Sequence, residues 1–265
     1  MAASFADIPA VVSRRVDNAE MRLMAALRYR PFQKIIAISE TIARVLREHG
    51  VAADRIEVIR SAVDTEQLAQ PADCNEIREE FAVPQDACVV AAAGQLIPRK
   101  GHRFLLQAVA DLRHRYPQLR LVIFGEGYLN NQLRAQAASL GLGDVVQFAG
   151  FRDDLDEFMG CIDIFAHPAL AEGLGVATLK AAAAAVPVVG FAAGGLPEAV
   201  IDGETGLLVP PEDIAALAAA LAALVDDPDR RRQMGAAGQH RMQNDFSIDT
   251  MADKHVKLYE TILNG

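Results

Sequence analysis

The sequence has few of the residues that build disulfide scaffolds, metal centres or nucleic-acid surfaces. Its 265 residues include three cysteines, with no CxxC pair and no cysteine–histidine spacing typical of zinc. A disulfide scaffold or a structural metal is therefore not expected, and a reducing compartment is predicted. Lysine and arginine number 26 against 35 acids, and the net charge of −9 argues against binding to nucleic acid.

Long apolar runs and targeting segments are also missing. Residues 1–10 contain too few consecutive apolar residues for a signal peptide. The most apolar stretch, 179–190, is too short to span a bilayer and is interrupted by Lys180 and Pro187. These features predict a soluble, cytoplasmic protein, and they leave peripheral contact with a membrane surface open.

What the sequence does contain is a regular alternation of short apolar runs with longer helical patterns. This alternation predicts an α/β fold, with right-handed βαβ units in a doubly wound parallel sheet covered on both faces. Strands are expected at 87–93, 119–124, 145–148, 162–166, 187–191 and 207–209. Helices are expected at 102–114, 130–140, 155–161, 175–185 and 196–201.

The two ends of the chain have a different pattern. The N-terminal part predicts strands at 9–12, 34–38 and 56–59 and helices at 18–27 and 40–49, followed by a polar loop at 61–74. These units either extend the main sheet or belong to an incomplete second domain. The C-terminal part is helical, over 214–225, 228–244 and a last helix to 262 that Ser247 is expected to cap.

Glycines and charged residues follow four of the predicted strands, where open parallel sheets bind their ligands. The segments are 94–101, 124–127, 167–175 and 190–198. Neither a P-loop nor a complete GxGxxG motif is present, which disfavours a dehydrogenase. Arg99 and Lys100 place positive charge at a helix start, and Glu172 precedes glycines whose free N–H groups suit a phosphate. A phosphate next to a hydroxyl acceptor fits a nucleotide sugar, whereas surface cations and ordinary helix starts are the plainer alternatives.

Several motifs occur together in the order found in one family. The segments are RSAVD, GQLIPRKG, VIFGEG, VQFAGF, HPALAEGLGVATLK, FAAGGLPE and DGETGLLVPPED. The sequence resembles retaining glycosyltransferases of the GT-B fold, family 4 (glycosyl transferases group 1). The resemblance implies two Rossmann-like domains. Residues 1–68 would be the remnant of the N-terminal acceptor domain, 69–246 the nucleotide-sugar-binding domain, and 247–265 a helix crossing back.

The resemblance also implies roles for individual residues. Lys100 would contact the donor diphosphate and Glu172 would hold the hydroxyls of the transferred sugar, which makes these two the candidate catalytic residues. The candidate donor-binding residues are Gly94, Gln95, Arg99, Glu126, Gly127, Phe151, Arg152, Gly173, Leu174, Gly175 and Lys180. No metal and no cofactor besides the nucleotide-sugar substrate is implied, and the acceptor is unknown.

Three positions depart from the family pattern. Lys180 stands where the family has the second glutamate of an E-x7-E motif, which accepts hydrogen bonds from a ribose diol. An ammonium has no acceptor, so Lys180 is expected to turn toward the diphosphate, and Lys180→Glu is expected to tighten binding. Gln95 replaces an arginine. Ala185 replaces a glycine, at a cost of about 1 kcal/mol if the backbone there is left-handed.

The expected activity is transfer of a sugar from a nucleotide sugar with retention of configuration. The sequence matches only part of the N-terminal domain expected from the resemblance. The alternative is therefore a non-catalytic nucleotide-sugar-binding module, or the donor half of a two-chain enzyme. Another enzyme of this fold, such as an epimerase or a phosphorylase, fits the motifs less well. An incomplete N-terminal layer exposes apolar surface, so a homodimer or a partner chain is also expected.

Overall fold

The computed structural model describes residues 8–17 and 21–264, and this part of the chain forms two parallel sheets joined by helices. The strands are β1 (Val11–Arg14), β2 (Lys34–Ala37), β3 (Ile56–Val58), β4 (Cys88–Ala93), β5 (Leu119–Phe124), β6 (Val146–Gly150), β7 (Ile164–His167), β8 (Val188–Phe191) and β9 (Gly206–Val209). The helices are α1 (Arg22–Tyr29), α2 (Glu40–Glu48), α3 (Thr65–Leu68), α4 (Cys74–Glu80), α5 (His102–Leu112), α6 (Asn130–Ser139), α7 (Leu155–Phe158), α8 (Val176–Ala183), α9 (Leu196–Ala199), α10 (Ile214–Asp226), α11 (Pro228–Asp245) and α12 (Ile248–Asn264). The first residues of the helix expected at 18–27 lie outside the described residues.

The larger sheet has six strands in the order β6-β5-β4-β7-β8-β9, all parallel. Within this sheet the first strand along the chain is β4, in the middle. The next two strands extend the sheet outward to β6, and β7, β8 and β9 then extend it in the opposite direction from β4. Strands β4 and β7 lie side by side at the point where the order reverses, which is where doubly wound sheets bind ligands. The predicted α/β fold with a doubly wound parallel sheet is confirmed.

Alternation along β4 shows why both faces of this sheet are covered. Val89 and Ala91 belong to one hydrophobic core, whereas Val90 and Ala92 belong to the core on the opposite face. Every residue of β4 is buried. A strand that is apolar throughout, with alternate side chains in two cores, is the pattern expected of a parallel sheet between two helical layers.

The smaller sheet has the order β1-β2-β3 and is also parallel. Ile35 packs with α2 in the same core that covers one face of the larger sheet, so the two sheets share a hydrophobic core. On the other face, Ile36 and Ile59 pack against Leu258 of α12. The C-terminal helix therefore contacts the N-terminal sheet, although the domain bounds given above stay a prediction.

The chain crosses between the two sheets near residue 63 and again near residue 247. The Val63 N–H donates to the Phe246 carbonyl oxygen at 3.0 Å, and Val63 pairs with Ser247 in an isolated parallel bridge. Ser247 also accepts the Thr250 N–H at 3.2 Å, as expected of a helix cap. The two crossings are thus hydrogen-bonded to each other.

The linker between the sheets contains helices and a disulfide that were not expected. The segment expected to be a polar loop at 61–74 contains α3 and the start of α4, capped by Asp64 and Asp73. Cys74 and Cys161 form a disulfide with Cα atoms 5.3 Å apart, a single link rather than the disulfide scaffold that the cysteine count argued against. These cysteines are 87 residues apart, and only tertiary packing brings them together.

The backbone at Ala185 and the hydropathy of the helices bear on two further expectations. Ala185 has φ of 59°, so the position where the family has glycine is indeed left-handed.

Among the described residues, no helix combines the length and apolar character needed to cross a bilayer. The cytoplasmic location stays a prediction.

Candidate active site

The loops after β4 and β7 meet at the point where the strand order reverses. The Lys100 ammonium donates a hydrogen bond to the Glu172 carboxylate. The Leu170 N–H donates to the Arg99 carbonyl oxygen at 2.8 Å, and the Arg99 guanidinium donates to the Ala171 carbonyl oxygen at 3.2 Å. The structure therefore brings the two candidate catalytic residues into direct contact, and Arg99 holds the loop that carries Glu172.

Glu172 lies in a mostly buried, positively charged environment. Its carboxylate is 3.3 Å from Nε2 of His167, the last residue of β7, and its side chain is 14% exposed. Burial alone raises the pKa of Glu172, but the adjacent His167 imidazole and the charge of Lys100 outweigh burial and lower the pKa to about 2. Burial lowers the pKa of His167. Glu172 is thus an ionised acceptor beside a neutral histidine and a cationic lysine.

Glycines let the backbone approach Glu172 closely. The Gly195 N–H donates to the Glu172 carbonyl oxygen at 2.8 Å, and a Cβ at position 195 would lie 2.2 Å from the Gly173 carbonyl oxygen. Gly175 has φ of 85° and precedes α8. Leu174, between these glycines, is buried. A side chain at position 195 would push the loop 172–175 away from the sheet.

A cavity of about 380 Å³ lies beside this cluster. Its lining comes from the ends of β4 and β5, the loops after β4, β5 and β6, and the start of α7: Ala93, Gly94, Gln95, Phe124, Gly125, Glu126, Phe151, Arg152 and Leu155. Five candidate donor-binding residues are therefore gathered around one cavity. Phe151 is 71% exposed, so its aromatic face is available for stacking against a planar group. Gly127 follows Glu126 and packs against the backbone of Leu96.

Arg152 lines the cavity, but its guanidinium already has partners. It donates to both Asp154 carboxylate oxygens at 2.7 Å and pairs with Glu80. The hydrogen bonds with Asp154 and Glu80 raise the pKa of Arg152. Arg152 is thus fixed by acids of this chain and shapes the wall of the cavity.

Lys180 does not turn toward Lys100 and Glu172. Its ammonium donates to the two Asp156 carboxylate oxygens at 2.8 and 2.6 Å. In this structure Lys180 is therefore paired with an acid of this chain, and its turn toward a bound diphosphate stays a prediction. Asp156 lies on α7, directly after the cavity residue Leu155, and the sequence analysis did not single it out. Nothing in the spacing of residues 156 and 180 indicates this contact.

Glu198 ends the segment 190–198, and its sequence context gave it no individual role. Its carboxylate accepts the backbone N–H groups of Glu40 and Thr41 at 2.8 Å each. The Thr41 hydroxyl donates to the Gly194 carbonyl oxygen at 3.0 Å. The N-terminal end of α2 is therefore bonded to the same glycine turn that supports Glu172.

Comparisons with known proteins match both the N-terminal and the C-terminal part of the chain. Residues 73–241 match the family described as "Glycosyl transferases group 1", and residues 6–67 match "Glycosyltransferase Family 4". A GDP-mannose-dependent alpha-(1-6)-phosphatidylinositol monomannoside mannosyltransferase of Mycobacterium tuberculosis is 35% identical over 226 residues, which are 82% of this chain and 58% of that protein. A D-inositol 3-phosphate glycosyltransferase of Streptomyces scabiei is 32% identical over 85% of this chain and 53% of that protein.

Solved structures show the same fold. The crystal structure of Anabaena HepE in complex with UDP superposes with a TM-score of 0.90 at 24% identity, over 98% of this chain and 74% of that chain. The WaaG glycosyltransferase, involved in lipopolysaccharide biosynthesis, has a TM-score of 0.76 at 20% identity and covers 97% and 76% of the two chains. The chain spans about half the length of the curated relatives it matches.

Proposed function

The chain belongs to the glycosyl transferases group 1 family, and from this premise we propose that it binds a nucleotide sugar and transfers the sugar with retention of configuration. The observation that carries the proposal is the contact of Lys100 with Glu172 at the switch point, next to the cavity lined by Phe151. A base fits the cavity and a diphosphate fits the cationic side of the cluster. UDP, bound in the HepE complex, is the nucleoside diphosphate part of such a donor, and GDP-mannose, on which the mycobacterial relative depends, is a donor of this class.

The roles we propose follow from the charges of the cluster. Lys100 turns from Glu172 to the diphosphate when the donor binds, which frees the Glu172 carboxylate to accept sugar hydroxyls. The Gly173 and Gly175 amides add N–H donors at the start of α8. Such preorganised donors stabilise charge that develops on the leaving diphosphate, and removing one typically costs about 2.7–4 kcal/mol in activation free energy. Arg99 supports the loop through Ala171.

The alternative is a module that binds the donor without transferring its sugar. Lys180 in place of the second glutamate and Gln95 in place of arginine favour this reading. Binding of a nucleotide sugar with no release of nucleoside diphosphate, either to water or to added acceptors, would select the alternative. Steady release of nucleoside diphosphate from the bound donor would select the transferase.

Calorimetry with UDP, GDP and their sugars tests the proposal directly. We expect one nucleoside diphosphate to bind, and Lys100→Ala to weaken its binding at least tenfold because the variant lacks the cation. Lys254→Ala, at an exposed position of α12, is the matched control and is expected to bind as the wild type does. If no nucleoside diphosphate binds the folded protein, the proposed function is wrong.

We also propose that the N-terminal layer is covered by a second copy of the chain or by a partner chain. Met21, Leu23 and Leu27 are each more than half exposed on or beside α1. Strand β1 pairs only with β2 within the described residues, so it is an edge with unpaired backbone groups. Sedimentation velocity over a range of concentrations tests this. A chain that stays monomeric throughout and co-purifies with no partner would contradict the proposal.

A further inference from the structure

The Lys180–Asp156 pair joins the two helices that follow the two halves of the candidate site. Asp156 is on α7, which starts at the cavity residue Leu155. Lys180 is on α8, which follows Gly175 beside Glu172. A nucleotide with its base in the cavity and its diphosphate at Lys100 must place its ribose between these two regions. The pair thus links the helix that begins at the cavity to the helix that follows Glu172.

Only one member of the pair can accept a hydrogen bond from a hydroxyl. The ammonium of Lys180 has three donors and no acceptor. The ionised carboxylate of Asp156 offers about four lone-pair directions, and the two hydrogen bonds from Lys180 use two of them. The Asp156 side chain is 27% exposed, so its remaining lone pairs are accessible from solvent. Carboxylates are the usual partners of ribose hydroxyls in doubly wound nucleotide sites.

Other acids near the cavity are less suited to this role. Asp154 and Glu80 are both occupied by the guanidinium of Arg152. Glu126 lines the cavity and is exposed, which makes it the competing acceptor. Asp156 differs from Glu126 in being held by two hydrogen bonds in one orientation, and a fixed acceptor discriminates better than a mobile one.

We propose that Asp156, oriented by Lys180, accepts hydrogen bonds from the ribose hydroxyls of the nucleotide, and that it makes the site specific for ribonucleotides over 2′-deoxyribonucleotides. The acceptor expected at position 180 is thus supplied from α7. This assignment rests on the proposed function, because it requires a nucleotide in the site.

Calorimetric titrations with UDP, GDP, their 2′-deoxy counterparts and inorganic pyrophosphate test the assignment. The wild type is expected to bind the better ribonucleotide about tenfold more tightly than its 2′-deoxy counterpart. Asp156→Asn is expected to lose this ratio, while its affinity for pyrophosphate is unchanged. Asp153→Asn, at an exposed position on the same turn, is the matched control and keeps the ratio.

Exchange of the two charges separates the acceptor role from a structural one. Lys180→Glu alone places two carboxylates together, so it is expected to weaken nucleotide binding, opposite to the effect expected from the sequence. Asp156→Lys combined with Lys180→Glu restores an opposite-charge pair with the acceptor now at position 180, and recovery of the ribose preference supports the assignment.

Two results would overturn the assignment. The first is an Asp156→Asn variant that folds, binds the ribonucleotide and keeps the wild-type ratio of ribonucleotide to 2′-deoxyribonucleotide affinity, which would show that Asp156 is not the acceptor. Loss of the ratio in Glu126→Gln, but not in Asp156→Asn, assigns the role to Glu126. If neither wild type nor variants bind any nucleoside diphosphate, the proposed function itself is wrong, and this outcome is distinct from an unchanged ratio with binding intact.

Discussion

Substitution of Glu198 tests how the N-terminal segment is attached to the larger sheet. The Ser39 hydroxyl accepts the Ile42 N–H at 3.1 Å, which satisfies the third N–H of α2. Glu198 accepts the first two, from Glu40 and Thr41. The first turn of this helix is thus completed by a residue that follows β8, 158 positions further along the chain than Glu40.

We expect Glu198→Ala to lower the free energy of unfolding by about 2–3 kcal/mol. Hydrogen bonds to a charged group contribute about 1.5–3 kcal/mol each, but water replaces part of this at the exposed Glu40 N–H. The change also leaves Arg60 without the carboxylate that lies 3.6 Å away. Glu198→Gln keeps an oxygen acceptor but loses the charge near the helix N-terminus, and we expect it to cost about 1 kcal/mol.

Urea unfolding combined with hydrogen exchange of a peptide spanning residues 39–46 measures both effects. In Glu198→Ala we expect a lower urea midpoint and faster exchange at the start of α2, with exchange in β4 unchanged under native conditions. Glu260→Ala, at an exposed position of α12, is the matched control. A Glu198→Ala protein with the wild-type midpoint and wild-type exchange in this peptide would refute the reasoning.

Three further predictions concern pH, backbone strain and packing. Burial lowers the pKa of His102 from 6.5 to about 4. Below pH 6.5 the unfolded chain therefore binds a proton at His102 that the folded chain does not bind. The contribution of His102 to the free energy of unfolding should fall by about 2 kcal/mol from pH 7 to pH 5. His102→Gln should remove that part of the fall, and an unchanged pH profile would count against it. Ala185→Gly should raise the free energy of unfolding by about 0.5–1 kcal/mol, because it relieves a left-handed alanine at some cost in chain entropy; a lower urea midpoint would contradict this. Gly195→Ala should weaken nucleoside diphosphate binding more than tenfold, because the new Cβ meets the Gly173 backbone. Gly143→Ala, where a Cβ meets nothing within 4 Å, is the control and should bind normally.

The larger sheet could be predicted because its strands are apolar on both faces and are separated by helical patterns. The strand expected at 119–124 has the bounds of β5, since Leu119 and Phe124 are the ends of a run in which every residue but the half-buried Arg120 is buried. The meeting of Lys100 with Glu172 also follows from sequence, because the carboxyl ends of parallel strands lie at one edge of the sheet.

Contacts between side chains of separate elements could not be predicted in the same way. Asp156 lies 24 residues before Lys180, and no periodic pattern connects a four-residue helix with the next long one. The partner of Glu198 is the backbone of α2, which any residue type would offer. The helices within 61–74 were missed because α3 is one turn long and its capping residue, Asp64, also favours turns.

The bridge between Val63 and Ser247 limits how the two sheets can move. Both crossings of the described chain run side by side there, so any rotation of one sheet against the other would have to bend both at one place. It would also have to disrupt the shared hydrophobic core and the contact of Glu198 with the start of α2. The relative orientation of the sheets is therefore held by three contacts of different kinds: a backbone bridge, an apolar core and a carboxylate on two backbone N–H groups.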